Sequence, residues 1–486
     1  MSIDFKKIAL SNLIFCYIPV FLFLGGWCRW EIAVPGCLLL GYMLYTVYRR
    51  CILPSPTQQI TMRPKLLLYM ALFTLVMTMV FFGQGGIFQY FYDYEKHSAV
   101  IQDLCRYSWP VIYSDAETPS ILTYYVGSYL FPALVGKLFA SRIVAELALG
   151  LVSWLAIMLL FMNILFLVDA QTEKQQIWAI VIYLGFYGLL IPLQTLFFPI
   201  NEDVQWGYRH WYTVRGLAYR ASMCDIKWVW EQYIIPALGL VMFYRFREQR
   251  RLYAVWALPA LICGTWSFIA ILLYVVADYI FSSIQDRKFY WDVFSWQNIL
   301  CALIGLVMVF YFAGSMSSEK SDEVTFHFMT GWKFYLRDYI PFCLFMFAFY
   351  YWLIWKHVEH DHFFYITLGI LIVIPLFRAG YFNDWCMYTS MLPLFMLNIY
   401  CIRFLLDPEV KKNVHKKWVT LIVCIAIESP FVLYEFFNPL QYSGFPEHTM
   451  RIYSCKDCEE IQIDMRSNYF IYDYNESLFY KYIARK

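Results

Sequence analysis

Apolar residues fill long uninterrupted stretches of this chain, and polar residues are confined to the joints between them. An apolar run of about 20 residues is long enough to cross the hydrocarbon of a bilayer as a helix. Such runs place spans near 8–28, 30–48, 66–83, 143–168, 177–199, 228–244, 296–313, 338–355, 363–377, 388–405 and 418–435. The stretch 251–283 is long for one tilted span, and Gly264 near its middle divides it into two short helices. The pattern predicts an all-α polytopic membrane protein with about thirteen crossings, counted at that span length. One membrane domain covers 1–435, and a short tail follows at 436–486.

The polar joints set the direction of threading, because short loops rich in Lys and Arg stay cytoplasmic. Lys6 and Lys7 hold the N-terminus inside, and Arg49, Arg50, Arg63 and Lys65 mark the second loop as inner. RFREQRR at 245–251 and KKNVHKK at 411–417 are the strongest inner markers. Residues 121–137, ILTYYVGSYLFPALVGK, are apolar enough to span, but a crossing there would strand RFREQRR outside. They are expected instead as a helix along the outer membrane surface, with aromatic rings at headgroup depth. Outer loops then fall at 84–142, 200–227, 314–337 and 378–387, and the tail is outside. The polar, aromatic-rich material gathers on that one face.

Composition agrees. Hydrophobic residues make up 61% of the 486 and charged residues 15%, with a mean hydropathy of +0.51. A soluble domain carries roughly a quarter of its residues charged. The net charge of +2 offers no footing for nucleic acid. Of 14 cysteines, only Cys455 and Cys458, in CKDC, have redox or metal spacing. Without a second such pair or nearby histidines, a local disulfide in an oxidising compartment is the better expectation than zinc.

Candidate chemistry concentrates in the first outer loop, where Asp93, Glu95, Lys96 and His97 crowd together soon after a membrane exit. A carboxylate there can take a proton from an acceptor hydroxyl. It can equally bind a divalent cation that steadies a leaving phosphate. A solvated charge cluster closing a loop is the plain alternative. The second outer loop offers Glu202 and Asp203 as further acids, and Arg215 and Arg220 as phosphate partners through their planar fork. Anchoring at headgroup depth explains arginines beside Trp and Tyr as well. GWKFYLRDY carries Lys333, Arg337 and Asp338 before a span, and Arg378 precedes Asn383 and Asp384 at an outer helix end. EHDH at 359–362 has metal-like composition, but it falls in a short inner loop and is expected to be a solvated turn.

This arrangement resembles the GT-C superfamily of membrane glycosyltransferases, which includes protein O-mannosyltransferases and lipid A aminoarabinose transferases. The matching pieces are Asp93 after a membrane exit, the run Pro119 to Lys137 with Tyr124 and Tyr125, and Arg142 where the chain returns to the membrane. The likeness covers about 66–245, with the catalytic-type loop at 84–142. The chain is also similar to uncharacterised bacterial multi-pass proteins with a DYxKH motif followed by WPV, here 93–97 and 109–111. The resemblance implies surface helices in the first outer loop and a bacterial plasma-membrane location. It implies transfer of a sugar from a polyprenyl-phosphate donor to an outer acceptor, with inversion. Asp93 and Glu95 would be the acids, and Lys96, His97, Arg215, Arg220 and Arg378 the donor-binding cations. In the relatives an Arg usually follows the NDF/NDW element, whereas this chain has Tyr388 near that place. An O-antigen polymerase or ligase, or a lipid-linked glycan flippase, are the rival expectations.

Overall fold

The computed structural model describes residues 1–88, 92–114, 119–186, 188, 217–313, 326–380, 383–437, 454–458, 469–472 and 474–485, without the side chains of Tyr92 and Asp93. The protein is an all-α polytopic membrane protein. Among the described residues nine helices are long and apolar enough to cross a bilayer. They are α1 (Phe5–Trp27), α2 (Trp30–Ile52), α3 (Pro64–Phe81), α6 (Arg142–Leu167), α11 (Thr265–Gln285), α12 (Trp296–Ala313), α13 (Phe334–Val358), α15 (Asp384–Leu406) and α17 (His415–Phe437). Between them lie α4 (Tyr92–Arg106), α5 (Gly127–Leu138), α7 (Glu173–Gly185), α8 (Ser222–Trp228), α9 (Trp230–Phe246), α10 (Tyr253–Leu261), α14 (His362–Leu376) and α16 (Pro408–Asn413).

Among the described residues thirteen full-length helices are not found. Three expected spans appear as the shorter α9, α10 and α14, and of the span expected at 177–199 the described part belongs to α7, the residues from 189 lying outside the described ones. At nine residues α10 rises only about 14 Å, and every residue in it but Ala254 is buried. The break expected at Gly264 is present, between α10 and α11. Residues 121–137 depart from the single surface helix. Ser120–Leu122 form strand β4, and only Gly127–Leu138 are helical. That helix is no loose surface element, since it packs on α4, α6 and α1 and buries Tyr129, Leu130 and Ala133.

Local chemistry starts the helices where they start. Asp4 accepts the Lys6 N–H at the head of α1, and Thr172 and Gln175 form a reciprocal capping box on α7. Pro64 stands in the first turn of α3, where its missing N–H costs nothing. The central helices α9 and α15 are buried almost all round. The outer ones turn Leu38, Leu39, Leu72, Val276, Leu303 and Leu306 outward, as lipid-facing helices do. Asn12 of α1 and Asn163 of α6 exchange side-chain hydrogen bonds of 2.8 and 2.9 Å, polar glue between two spans.

Basic segments share one end of the bundle. Arg245 donates to the Phe166 carbonyl, Arg403 to the Leu167 carbonyl, and Arg251 lies 3.4 Å from Cys51 Sγ. EHDH is there too, and it is more than a solvated turn. Asp361 caps α14 and receives Arg247, Tyr244 and Tyr400, while His362 bonds Asp278 at 2.8 Å. Only Glu359 and His360 stay exposed. Strands β1 (Ser2–Asp4) and β2 (Gln59–Thr61) pair at the head of α1. The other terminus sits at its far end, where Arg485 N–H bonds the Trp27 carbonyl. There β3 (Ile112–Tyr113), β4 and β7 (Phe470–Ile471) form a small antiparallel sheet. Strands β5 (His327–Phe328) and β6 (Phe377–Arg378) pair separately.

Candidate functional site

The acid-rich segment of the first loop is the start of α4, so its residues fall on helical faces. Asp93 precedes His97 by four positions, which sets both on one face of α4. Lys96, His97 and Ser98 are buried there, and Glu95 is partly exposed. His97 Nδ1 lies 2.5 Å from the Tyr129 hydroxyl of α5. Burial holds the Tyr129 phenol well above its ordinary range, so the hydroxyl keeps its proton and donates. A neutral ring accepting at Nδ1 carries its proton on Nε2.

Ser98 donates to the Glu146 carboxylate, which α6 presents one turn before Gly150. The segment Gly83–Gly86 closes over this pair. Gly85 and Gly86 sit at φ +105° and +73°, which other residues rarely adopt. A Cβ on Gly150 would stand 2.8 Å from the Gln84 carbonyl and 2.9 Å from Gly85 Cα, so that loop lies directly on α6. Gln84, Tyr94, His97, Ser98, Glu146 and Trp230 line a narrow cleft together with the glycines, with enclosed room for about one water. Its wall is tied to α8, whose last carbonyls would otherwise lack partners. Gln84 Nε2 donates to the Ile226 carbonyl and the Tyr94 hydroxyl to that of Lys227, each at 3.2 Å.

Arg220 belongs to a different pocket. Its guanidinium is fully buried, 3.9 Å from Asp225 and 4.8 Å from the centre of the Tyr388 ring. Phe186, Gly188, Ser222, Met346 and Leu394 surround it, and the two pockets share no residue. Burial, opposed by Arg220, pushes the Asp225 carboxyl up to about 8. The exposed headgroup anchor that is one reading of this arginine is therefore corrected to a buried guanidinium beside an acid. Arg378 is exposed on β6, opposite His327. Arg215, Glu202, Asp203 and the Asp93 side chain lie outside the described residues. Among the described residues no three His, Cys, Asp or Glu side chains converge as a metal site.

The tail reaches the other end of α4. Asp103 Oδ2 accepts the Cys455 N–H at 2.8 Å, the Ser454 hydroxyl at 3.0 Å and the Tyr113 hydroxyl at 2.6 Å. Cys455 and Cys458 are buried on this turn with no disulfide between them, where the sequence favours one.

Sequence reasoning thus found Lys96 and His97 but missed Ser98, Gln84 and Tyr129 as their company. Glu146 reads in sequence only as an acid near a span end. The Gly-rich GQGG and the small residue Gly150 were the available signals for close packing. Compared with protein-family models, with curated proteins and with solved structures, the chain matches none of them.

Proposed function

We propose that this protein is a GT-C-like glycosyltransferase that moves a sugar from a polyprenyl-phosphate donor to an acceptor at the outer membrane face. The observation that carries the reading is the cleft beside α4. Carboxylate, imidazole, hydroxyls, carboxamide and indole converge there, with His97 next to Lys96 and one helical turn after Asp93. Widened to admit a hydroxylated ring, that set would hydrogen-bond it and balance charge at its anomeric carbon. It lies at the end of the bundle opposite the basic loops, which the positive-inside rule makes the extracytoplasmic end. Thirteen crossings, with α7, α9, α10 and α14 counted in, would put the N-terminus inside and the C-terminus outside.

In the proposed reaction the acceptor oxygen attacks the anomeric carbon as the bond from that carbon to the phosphate oxygen breaks. Asp93 takes the acceptor proton, and the electron pair leaves on the polyprenyl phosphate. Attack opposite the leaving group inverts the centre. Lys96 supplies positive charge for the departing phosphate, with Arg378 as a further candidate; Arg220, buried in its own pocket, is left out of this role. Glu146 is the described second acid, alongside Glu95, Glu202 and Asp203. A divalent cation, where one is used, would supply phosphate neutralisation beside these acids. A lipid-linked glycan flippase is the rival reading, and Glu428, the interior acid of α17, is its best support. That carboxylate receives the Tyr350 hydroxyl and the Gly188 N–H past the end of α7. Capping a broken helix accounts for it without transport.

Asp93→Asn tests the proposal, because it keeps size and hydrogen bonding but removes the basic oxygen. Transfer is expected to fall about a hundred- to ten-thousand-fold, with membrane insertion unchanged. Glycan output within a few-fold of wild type, measured in cells at equal expression, would sink the assignment.

A further inference from the structure

The C-terminal tail touches the proposed site by three independent attachments. Asp103 on α4 receives the 454–458 turn through two of its three hydrogen bonds. Strand β7 pairs with β4, in register Ile121 to Ile471, and the Thr123 N–H bonds the Tyr469 carbonyl at 2.7 Å. Farther on, Arg29 donates to the Ala484 and Lys481 carbonyls, and Phe479 packs on Tyr311. Tyr311 in turn holds the backbone of Tyr124 from both sides, at 3.2 Å to its N–H and to its carbonyl.

These attachments deliver one ring to one place. Tyr469, 1% exposed, stacks on Tyr124 with centroids 4.1 Å apart and planes 11° from parallel. Burial first, and the neighbouring Tyr469 after it, hold the Tyr124 phenol well above its ordinary range. Tyr124 and Tyr129 lie on the segment that leads into α5, and His97 bonds the second of them. The ring of Tyr469 is thus a back wall for residues that line or border the cleft.

We propose that Tyr469 is a positioning residue of the site: it fixes Tyr124, five residues before the Tyr129 that meets His97 of the cleft, and Asp103, on the helix that carries His97, holds the tail in place to do so. This rests on the glycosyl-transfer reading for its ligand, though not for its geometry. Loss of the ring would let the 120–126 segment move and loosen Tyr129 against His97.

The experiment uses the full chain in nanodiscs, with a polyprenyl phosphate as probe. Two readouts are hydrogen exchange at 94–98 and 120–129, and the dissociation constant of the probe. Tyr469→Phe keeps the stack, loses only the hydroxyl beside Tyr124, and should stay closer to wild type than Tyr469→Ala in both. Tyr469→Ala should raise exchange in both segments and weaken the probe about ten-fold, the scale of a lost aromatic pair. Asp103→Ala should do the same and also expose the 454–458 turn; if it fails to fold, Tyr469→Ala decides alone. Lys96→Met should weaken the probe and leave exchange at 120–129 unchanged. Unchanged exchange in Tyr469→Ala overturns the inference and leaves the glycosyl-transfer reading standing. If the wild type binds no polyprenyl phosphate, that reading falls instead. Exchange in Tyr469→Ala against Tyr469→Phe then still decides whether the tail positions these residues.

Discussion

Glu146, Ser98 and Gly150 illustrate how tightly single residues are constrained beside α4. The hydroxyl of Ser98 meets a carboxylate, so Ser98→Ala should cost about 2 kcal/mol, the usual range for a hydrogen bond to a charged group. Gly150→Ala sets a methyl against the Gln84 and Gly85 backbone, which cannot rotate away. Its expected cost is about 1–3 kcal/mol of overpacking. Thermal midpoints in one detergent check both, and a Gly150→Ala protein as stable as wild type would refute the close approach. Asp225 makes a prediction about pH. Its carboxyl rises from the ordinary 3.8 to about 8 on burial, so the folded protein holds a proton that the unfolded chain has released. Stability should therefore fall as pH rises from about 4 to about 8 and level off above that. Asp225→Asn, neutral throughout, should flatten this slope, and an identical slope would show that another group sets it. Lys96 and His97 could be read from DYEKH because charge at a membrane exit is visible locally. Their partners could not, since Ser98 and Glu146 are 48 positions apart and His97 and Tyr129 32 apart.

At the scale of elements, legibility followed the range of the interactions. Gly264 was readable as a break because an apolar run too long for one span must turn somewhere. The strand at 120–122 was not, because its partner, Ile471, comes 350 positions later and the local sequence is as apolar as a helix. Helix length was overread where the surroundings are protein rather than lipid. Nothing requires the buried α10 to span 30 Å when α9, α11 and α12 cover it. EHDH misled for the converse reason: its acid looks solvated in sequence, yet Asp361 ties α9, α14 and α15 together. Asp361→Ala removes a helix cap and leaves Tyr244, Tyr400 and Arg247 short of an acceptor. Destabilisation of about 3 kcal/mol is expected, read as a lowered midpoint. A loss below about 1 kcal/mol, the scale of an exposed ion pair, would return the segment to a solvated turn.

For the whole molecule, the basic loops gathered at one end of the bundle make orientation testable. On a variant carrying one engineered thiol in place of Lys412, a membrane-impermeant reagent should label only after the cells are opened. Labelling of intact cells would invert the protein and move the cleft to the cytoplasm. Threading by charge is an expectation from counts of Lys and Arg in short loops, and that labelling decides it. The meeting of first loop and tail was beyond sequence, since Asp103 and Cys455 are 352 positions apart. That separation bears on how the protein comes into being. Asp103 leaves the ribosome long before Cys455, and every span between α5 and α17 is threaded in the interval. The site therefore remains without its back wall until the last residues are translocated, and a truncated or stalled chain is a chain without a finished site. A bulky fusion appended after Lys486 would burden that final step, whereas one placed before Met1 sits at the opposite end of α1.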